Sequence, residues 1–438
     1  MARKVLLSFL GNSVYKQCHY TTTNFQSTQV RFFQEALVQL LCPQWTTKDH
    51  IYIFLTPAAN KNNWEGHFYQ GQGLKQILSQ YPHISVTAIK EMSSGLSETE
   101  IWQLFEKIYE CLQPNDEVYL DITHGFRTLP MLLTVLLDYA KALKQIQVKK
   151  ICYGALETLG NIRELETKYP HPSDRKVPIL DLTSFSTLQD WTAAAADFKN
   201  YGKIQQLGHL TNNSLLPTVN NQHTTATTTQ ALQQLHQHIH SLVPLFQTNR
   251  GKALQGYPFQ ELHQLLAQLL QQPNIIKPLY AVIQEMQDKI QHFQSDDPLT
   301  WLKATKWCKE HGLIQQGITQ LREGFITWLC QRFQQTIDAD FFVETQSSPR
   351  VLISNVFTIY HNQIPKSKWQ KKNKDNTSIT RALLADPMIQ QIAASFIQLG
   401  KLRHDINHGG YQHSLEPPVF YEQLEEIILA IEVVILNE

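Results

Sequence analysis

The chain has 438 residues, 42% of them hydrophobic, and its 38 basic and 38 acidic side chains give a formal net charge of zero. This length predicts two or three domains with sizeable cores. Zero net charge excludes a generic polyanion-binding protein, so any contact with nucleic acid must come from a local basic patch. One such patch is 366–374, whose simplest interpretation is a solvated loop. No run of about 18 apolar residues is present, so no membrane-spanning helix is predicted.

The six cysteines are scattered along the chain and form no C-x-x-C pair. This pattern indicates neither a disulfide framework nor a zinc site, and it favours a reducing cytoplasm. The apolar run at the N-terminus is too short for a signal peptide and is better explained as a first β-strand.

Up to about residue 190, apolar strand-like segments alternate with segments of helical periodicity. The predicted strands are 5–10, 50–55, 84–89, 117–122, 148–153 and 179–182. The predicted helices between them are 25–41, 66–78, 97–112 and 129–142. This alternation predicts a doubly wound, Rossmann-like α/β domain with a parallel sheet that helices cover on both faces.

Two polar turns follow predicted strands at the carboxyl ends, where such sheets bind ligands. The first covers 8–15, and the second has the sequence DITHGFR and leads into a helix. Gly125 would let the backbone approach a ligand, while Thr123, His124 and free helix N–H groups would offer donors and Arg127 a charge. These groups suit a phosphate or nucleotide; the alternative is an ordinary turn capped by its aspartate. Neither a Walker A loop nor a G-x-G-x-x-G is present, which disfavours dinucleotide cofactors.

The second half of the chain has almost no strand signals. Residues 191–210 are predicted to be helical, and 211–230 are rich in Thr, Asn and Gln without periodicity, which predicts a loop or flexible insertion. Further helices are predicted at 259–270, 276–293, 299–311, 314–335, 380–383, 387–399 and 418–436, while 351–360 is ambiguous. An all-α domain at 236–438 is therefore expected after a linker at 191–235. No ligand spacing indicates a metal.

A dense polar cluster, RHDINHGG, lies at 403–410 between two predicted helices that are apolar on one face. Arg403 suits phosphate binding and His408 proton transfer, whereas the alternative is a solvated helix end capped by Gly409 or Gly410. Arg403 and Asn407 share a helix face, but His408 lies roughly 140° around an ideal helix from Arg403. The two side chains can therefore converge only if the helix ends at Gly409, or if two subunits complete one site.

These features together resemble the CRISPR-associated ribonucleases that join a CARF (CRISPR-associated Rossmann fold) domain to a HEPN (higher eukaryotes and prokaryotes nucleotide-binding) domain. The N-terminal resemblance covers about 1–190 and rests on LLSFLG at 6–11, DITHGFR at 121–127, YGALE at 153–157 and LDLTSF at 180–185. The C-terminal resemblance rests on the R-x4-H motif of RHDINH at 403–408. Together, the two resemblances assign 1–190 to a CARF domain and 236–438 to a HEPN domain.

The resemblance implies that a cyclic oligoadenylate, expected to be cyclic tetra-adenylate, binds across the two-fold axis of a homodimer or larger homo-oligomer. The bound messenger then activates cleavage of single-stranded RNA by paired HEPN domains, without a metal or other cofactor. The implied messenger pocket comprises Ser8, Leu10, Gly11, Asn12, Thr123, His124, Gly125, Phe126 and Arg127. Arg403, Asn407 and His408 would form the nuclease site, and Asp405 would shape the turn.

Two alternatives remain open. The chain could be a messenger sensor without nuclease activity, in which Arg403 and His408 only structure a helix end. In the other, the α/β pocket itself degrades the messenger, in addition to activating RNA cleavage.

Overall fold

The computed structural model describes residues 2–92, 97–125, 128–161, 164–203, 205–212, 226–272, 277–338, 340–342, 347–411 and 414–437. The described residues up to Gln189 form one compact unit, and those from Asp190 onward form a second. No helix in these ranges is long and apolar enough to cross a membrane.

The first unit is built on an eight-stranded sheet with the order β3-β2-β8-β7-β6-β1-β4-β5. Its strands are β1 Lys4–Leu10, β2 His19–Thr22, β3 Phe25–Gln26, β4 His50–Leu55, β5 Ser85–Ile89, β6 Glu117–Asp121, β7 Gln147–Gly154 and β8 Lys176–Asp181. The central strands β7, β6, β1, β4 and β5 are mutually parallel, as predicted. All six predicted strands are confirmed, with bounds that differ from the predicted ones by at most three residues.

The edge beyond β7 departs from the all-parallel prediction. Strand β8 is antiparallel to β7, and β2 and β3 form an antiparallel hairpin. A parallel neighbour needs a long crossover, but the only α-helix between β7 and β8 among the described residues is the four-residue α6. The predicted helix 25–41 is wrong in its first part because Val30 pairs with Cys18 in an isolated bridge and the helix begins only at Phe33.

Helices cover both faces of the sheet. They are α1 Phe33–Leu41, α2 Pro57–Ala59, α3 Leu74–Leu78, α4 Glu98–Glu110, α5 Leu129–Lys144 and α6 Leu165–Lys168. The alternate residues Val5, Leu7 and Phe9 of β1 face the layer of α4 and α5. Leu6 and Leu10 face the opposite layer, which contains α1 and α3. Burial on both faces explains why the strand reads as a continuous apolar run.

The second unit is all-helical in its described residues. Its helices are α7 Thr183–Tyr201 (which begins in the first unit), α8 Gln205–Asn212, α9 Ala226–Gln247, α10 Gly251–Gln255, α11 Phe259–Leu270, α12 Lys277–Ile290, α13 Thr300–Glu310, α14 Ile314–Thr336, α15 Ser347–His361, α16 Lys371–Asp375, α17 Thr377–Ala385, α18 Pro387–Asn407 and α19 Pro417–Leu436. One apolar core of this unit lies among α14, α15, α18 and α19.

Three local predictions change in this unit. The helix predicted at 191–210 is interrupted at Gly202, whose φ of 60° is left-handed and ends α7. The segment predicted as a loop at 211–230 is helical at its end, because α9 begins at Ala226, and 213–225 lie outside the described residues. The ambiguous 351–360 belong to a helix. In the segment expected as a linker, Trp191 and Phe198 are buried.

Candidate functional site

The first candidate site lies where β1 and β6 end side by side. The chain runs from β1 to β4 and β5 on one side of β1, then returns to β6 on its other side. This reversal is a topological switch point, the usual place for a ligand in an open α/β sheet. The two polar turns expected to converge therefore lie at adjacent strand ends.

A buried hydrogen-bond network fixes the two turns to each other. The Ser8 hydroxyl donates to Asp121 Oδ2 over 2.6 Å, and Asp121 Oδ1 accepts from the Thr123 N–H over 2.8 Å. Thr123 Oγ1 in turn accepts from the Gly154 N–H over 2.8 Å. Burial raises the pKa of Asp121 to about 6, against the lowering effect of the hydrogen bonds from Ser8 and Thr123. Ser8 thus supports the turn from beneath.

A cavity of about 290 Å³ opens above this network. It is lined by the predicted residues Leu10, Gly11, Asn12, Thr123, His124 and Gly125, and by Phe9, Ser13, Phe54, Thr56, Met92, Leu104 and Leu129. We call this cavity the strand-end pocket. Thr56 directly follows β4, so the expectation that ligands bind beyond the carboxyl ends of the strands would also have identified it. Two predicted pocket residues, Phe126 and Arg127, lie outside the described residues.

Two neighbouring side chains shape the Gly11 turn. The Gly11 N–H donates to the Tyr15 hydroxyl over 2.8 Å, and Asn63 Nδ2 donates to the Gly11 carbonyl over 2.7 Å. At the other turn, Gly125 has a φ of 140°, and a Cβ there would approach Leu129 Cδ2 to 2.4 Å. Both turns thus bring bare backbone to the cavity.

His124 carries the unused polar group of the pocket. Its ring meets the edge of Tyr15 at a centroid distance of 4.7 Å. Its Nε2 atom is buried and has no hydrogen-bond partner within the described part of the chain. Burial lowers the pKa of His124 to about 4, so the imidazole is neutral at pH 7. A buried polar atom without a partner is costly unless a ligand supplies one.

The second candidate site is the carboxyl end of α18. The helix ends at Asn407, His408 caps it, and Gly409 and Gly410 follow with φ of 61° and 70°. The Gly410 N–H donates to the Asp405 carbonyl over 3.2 Å. This bond belongs to a glycine-based C-cap, the feature that the alternative interpretation of the cluster expected.

Asp405 holds the chain that follows the helix. Its side chain is buried, and Oδ2 accepts a hydrogen bond from the Leu415 N–H over 3.0 Å. This contact agrees with the expected role of Asp405 in shaping the turn.

The predicted nuclease residues differ in exposure and partners. Asn407 and His408 are exposed, and Arg403 is half-buried. Asn407 Oδ1 accepts from Gln315 Nε2 over 3.3 Å, and the His408 ring packs on His404 at 4.3 Å. No hydrogen bond joins Arg403 to His408 among the described residues, in keeping with their divergent positions on the helix.

Arg403 belongs to a cluster that the sequence did not reveal. Its Nη2 lies 3.8 Å from Glu323 Oε1, which also accepts from Arg322 Nη1 over 2.8 Å. Glu323 Oε2 accepts from Arg350 Nη2 over 2.8 Å. Burial alone would raise the pKa of Glu323, but the hydrogen bond from Arg350 and the charges of the three arginines lower it.

We call Arg322, Arg350 and Arg403 the arginine cluster. With Glu323 ionised, three guanidinium groups and one carboxylate leave a local excess of positive charge, which suits a phosphate. Arg403 Nε is buried without a partner in the described structure, so it keeps a donor for a ligand. No group of three or more His, Cys, Asp or Glu side chains in the described ranges could hold a metal ion.

The sheet topology and the strand-end pocket define an α/β domain with a candidate ligand pocket at its switch point, and comparison with known proteins gives the domain its class. Residues 5–157 match the family model of the CARF domain of CRISPR system endoribonuclease Csx1. Residues 187–296 match the second domain of CRISPR-associated protein MJ1674. The N-terminal unit therefore contains a CARF domain.

CRISPR-associated protein MJ1674 of Methanocaldococcus jannaschii is 28% identical over 251 residues, which cover 56% of this chain and 34% of that protein. The chain is thus homologous to a CRISPR-associated protein. The match spans about a third of the length of that relative. Among solved structures, Enterococcus italicus Csm6 bound to cyclic hexa-2′-fluoro-hexa-dAMP aligns with a TM-score of 0.47 at 12% identity, covering 100% of this chain and 94% of that chain.

Proposed function

We propose that the chain is a CRISPR-associated, cytoplasmic endoribonuclease that a cyclic oligoadenylate activates and that cleaves single-stranded RNA without a metal. The observation that carries the proposal is the pairing of a CARF domain with a helical unit that presents Arg403, Asn407 and His408 at one capped helix end. The helical unit would then be the HEPN nuclease domain, and the strand-end pocket would bind the messenger.

The chemistry follows from the groups at the end of α18. RNA carries its own nucleophile, the 2′-hydroxyl, and the exposed imidazole of His408 could accept its proton. Arg403 would stabilise the charge that develops on the phosphate, and Asn407 would orient it. The products would carry a 2′,3′-cyclic phosphate or 3′-phosphate and a 5′-hydroxyl, and DNA would resist cleavage.

Both sites fit a protein that works as a homodimer. Arg403 and His408 diverge within one chain, so the same residues of a second copy could complete the site. The volume of the strand-end pocket is close to the lower limit for ligand sites, which is about 300 Å³. A cyclic oligonucleotide would therefore occupy two such pockets across a two-fold axis.

An apolar stripe on α5 offers a surface for that second copy. Met131, Val135, Tyr139 and Leu143 recur every four residues and are all exposed, Met131 to 78%. The stripe begins two residues after Leu129, which lines the strand-end pocket. Exposed apolar patches of this kind mark interaction sites, and this one lies beside the pocket that symmetry would have to complete.

We expect Val135→Glu to convert the dimer into a monomer, because the change places a charge in the middle of the apolar stripe. Sedimentation velocity would measure the shift in mass, and messenger affinity should fall with it. Phe68→Glu, at an exposed apolar residue outside the stripe, is the matched control and should stay dimeric. An unchanged mass for Val135→Glu would assign the dimer contact to another surface.

The central experiment incubates labelled single-stranded RNA with the protein in EDTA, with cyclic adenylates of three, four or six units or with none. Messenger-stimulated cleavage in EDTA, strongest with cyclic tetra-adenylate, is the expected result. RNA cleavage that no cyclic adenylate stimulates would contradict the allosteric part. Tight messenger binding without any RNA turnover would favour a sensor that lacks nuclease activity.

A second candidate activity is cleavage of the messenger in the strand-end pocket. The unpartnered His124 Nε2 favours it, because this atom could form a hydrogen bond that positions the phosphodiester of a bound messenger. Chromatography of the labelled messenger after the same incubation separates binding from degradation.

A further inference from the structure

The basic patch at 366–374 is a fixed structural element. We call it the lysine segment; it carries five lysines, namely Lys366, Lys368, Lys371, Lys372 and Lys374. It consists of a 3₁₀ turn at Lys366–Lys368 and the short helix α16. All five lysines are exposed, and none forms an ion pair with a carboxylate of the described chain. The simple prediction of a solvated loop therefore needs correction.

Two buried side chains anchor the segment between its lysines. Trp369 is buried, and its Nε1 donates to the Ile364 carbonyl over 3.0 Å. Asn373 is fully buried, with its Oδ1 accepting from Asn355 Nδ2 over 2.9 Å and its carbonyl accepting from Thr380 Oγ1 over 3.1 Å. The backbone that presents the lysines is thus held by the core, so only the lysine side chains have to become ordered on binding.

Helix α15 connects the lysine segment to the arginine cluster. Arg350 of α15 pairs with Glu323, and Ser354 Oγ accepts from Arg322 Nη2 over 3.0 Å. The next residue, Asn355, contacts Asn373 and Gln370 of the lysine segment. Five residues of helix separate Arg350 from Asn355, a rise of about 7.5 Å. The arginine cluster and the lysine segment therefore contact the same helix, within two turns of each other.

We propose that the lysine segment is a phosphate-binding track that guides single-stranded RNA towards Arg403 and His408. This inference rests on the proposed ribonuclease function and adds the path of the substrate. A chain with zero net charge cannot hold RNA by its overall field, so local cations must supply the contacts with the backbone. Five exposed lysines, on a platform anchored to the helix that carries Arg350, supply them.

The test measures RNA binding against salt in the cleavage-deficient His408→Ala background. A fluorescent single-stranded RNA is titrated with the triple variant Lys371→Gln, Lys372→Gln, Lys374→Gln. Loss of three phosphate contacts should reduce the slope of log K against log salt by about 2, at 0.7 per contact, and weaken binding at least about tenfold in 0.1 M salt. The matched control removes the exposed Lys48, Lys107 and Lys176 of the CARF unit and should leave the slope unchanged.

The outcomes separate this inference from the function on which it rests. If the wild-type protein neither binds nor cleaves RNA, the proposed function fails. If the wild-type protein cleaves RNA but the triple variant keeps the full salt slope, only the lysine track is overturned. Binding of the lysine segment to anionic lipid vesicles in place of RNA would also overturn it. Lys366→Gln with Lys368→Gln gives a second variant outside α16, with thermal unfolding checked in parallel, in case the triple variant does not fold.

Discussion

Replacing His408 with alanine should lower the rate of RNA cleavage by about 10³-fold, within the range that a positioned general base contributes. The side chain is exposed and caps α18 through its backbone, so truncation should leave the helix end intact. Binding of RNA should change little, because the arginine cluster keeps its charges. The readout is single-turnover cleavage with the messenger at saturation.

The matched control is His404→Ala, one turn earlier on the same helix. The His404 and His408 rings pack at 4.3 Å, so loss of either ring removes the same contact. Only His408 is expected to transfer a proton, and cleavage by the His404 variant should stay near the wild-type rate. Full activity in the His408 variant, or equal losses in both, would refute the catalytic assignment.

Replacing His124 with leucine should weaken messenger binding about 10- to 100-fold, the cost of about 1–3 kcal/mol when a buried polar partner is lost. The same change should not destabilise the messenger-free protein, because it removes a buried imidazole nitrogen that has no partner in the described structure. The messenger affinity of the variant should therefore fall, whereas its free energy of unfolding should not. Isothermal titration with cyclic tetra-adenylate and thermal unfolding measure the two quantities.

An acid titration gives an independent check. The folded pKa of His124 is about 4, below the 6.5 of an ordinary histidine, so the unfolded chain binds more protons between these values. The free energy of unfolding of the wild-type protein should therefore decrease as the pH falls from 6.5 towards 4. The leucine variant should not show this decrease. His50→Leu is the control variant, because burial also lowers the pKa of His50. His50 lies at the amino end of β4, and its Nε2 bonds to Thr87. An unchanged affinity in the His124 variant would contradict the pocket assignment.

Elements with a local signal could be predicted closely. The helix predicted from residue 97 begins there, because Ser97 Oγ accepts from the Glu100 N–H over 3.2 Å and caps α4. Strand His50–Leu55 and helix Phe259–Leu270 have the predicted bounds. Prediction failed where periodicity misled, as at Val30, where an apolar residue at helical spacing pairs with Cys18 across a bridge.

The candidate sites could be predicted only in part. The turns at strand ends identified most of the strand-end pocket, because parallel strands bring their carboxyl ends to one edge. Thr56 lies at such an end and could have been found, whereas Met92, Leu104 and Leu129 belong to the apolar wall and carry no sequence signal. The same holds for the lysine segment, in which the burial of Asn373 became visible only from its packing against α15.

The sequence by itself determined the strands, the start of α4 at Ser97 and the glycine-terminated end of α18, because apolar runs, capping residues and glycine act within a few neighbouring residues. The tertiary structure alone decided which distant groups meet. Ser8 and Asp121 are 113 residues apart, and Glu323 approaches Arg403 and Arg350 from a different helix. Such contacts depend on strand order and helix packing, in which each position is set by many side chains at once. The glycines end the helix that carries Arg403 and His408, but its charge environment comes from α14 and α15.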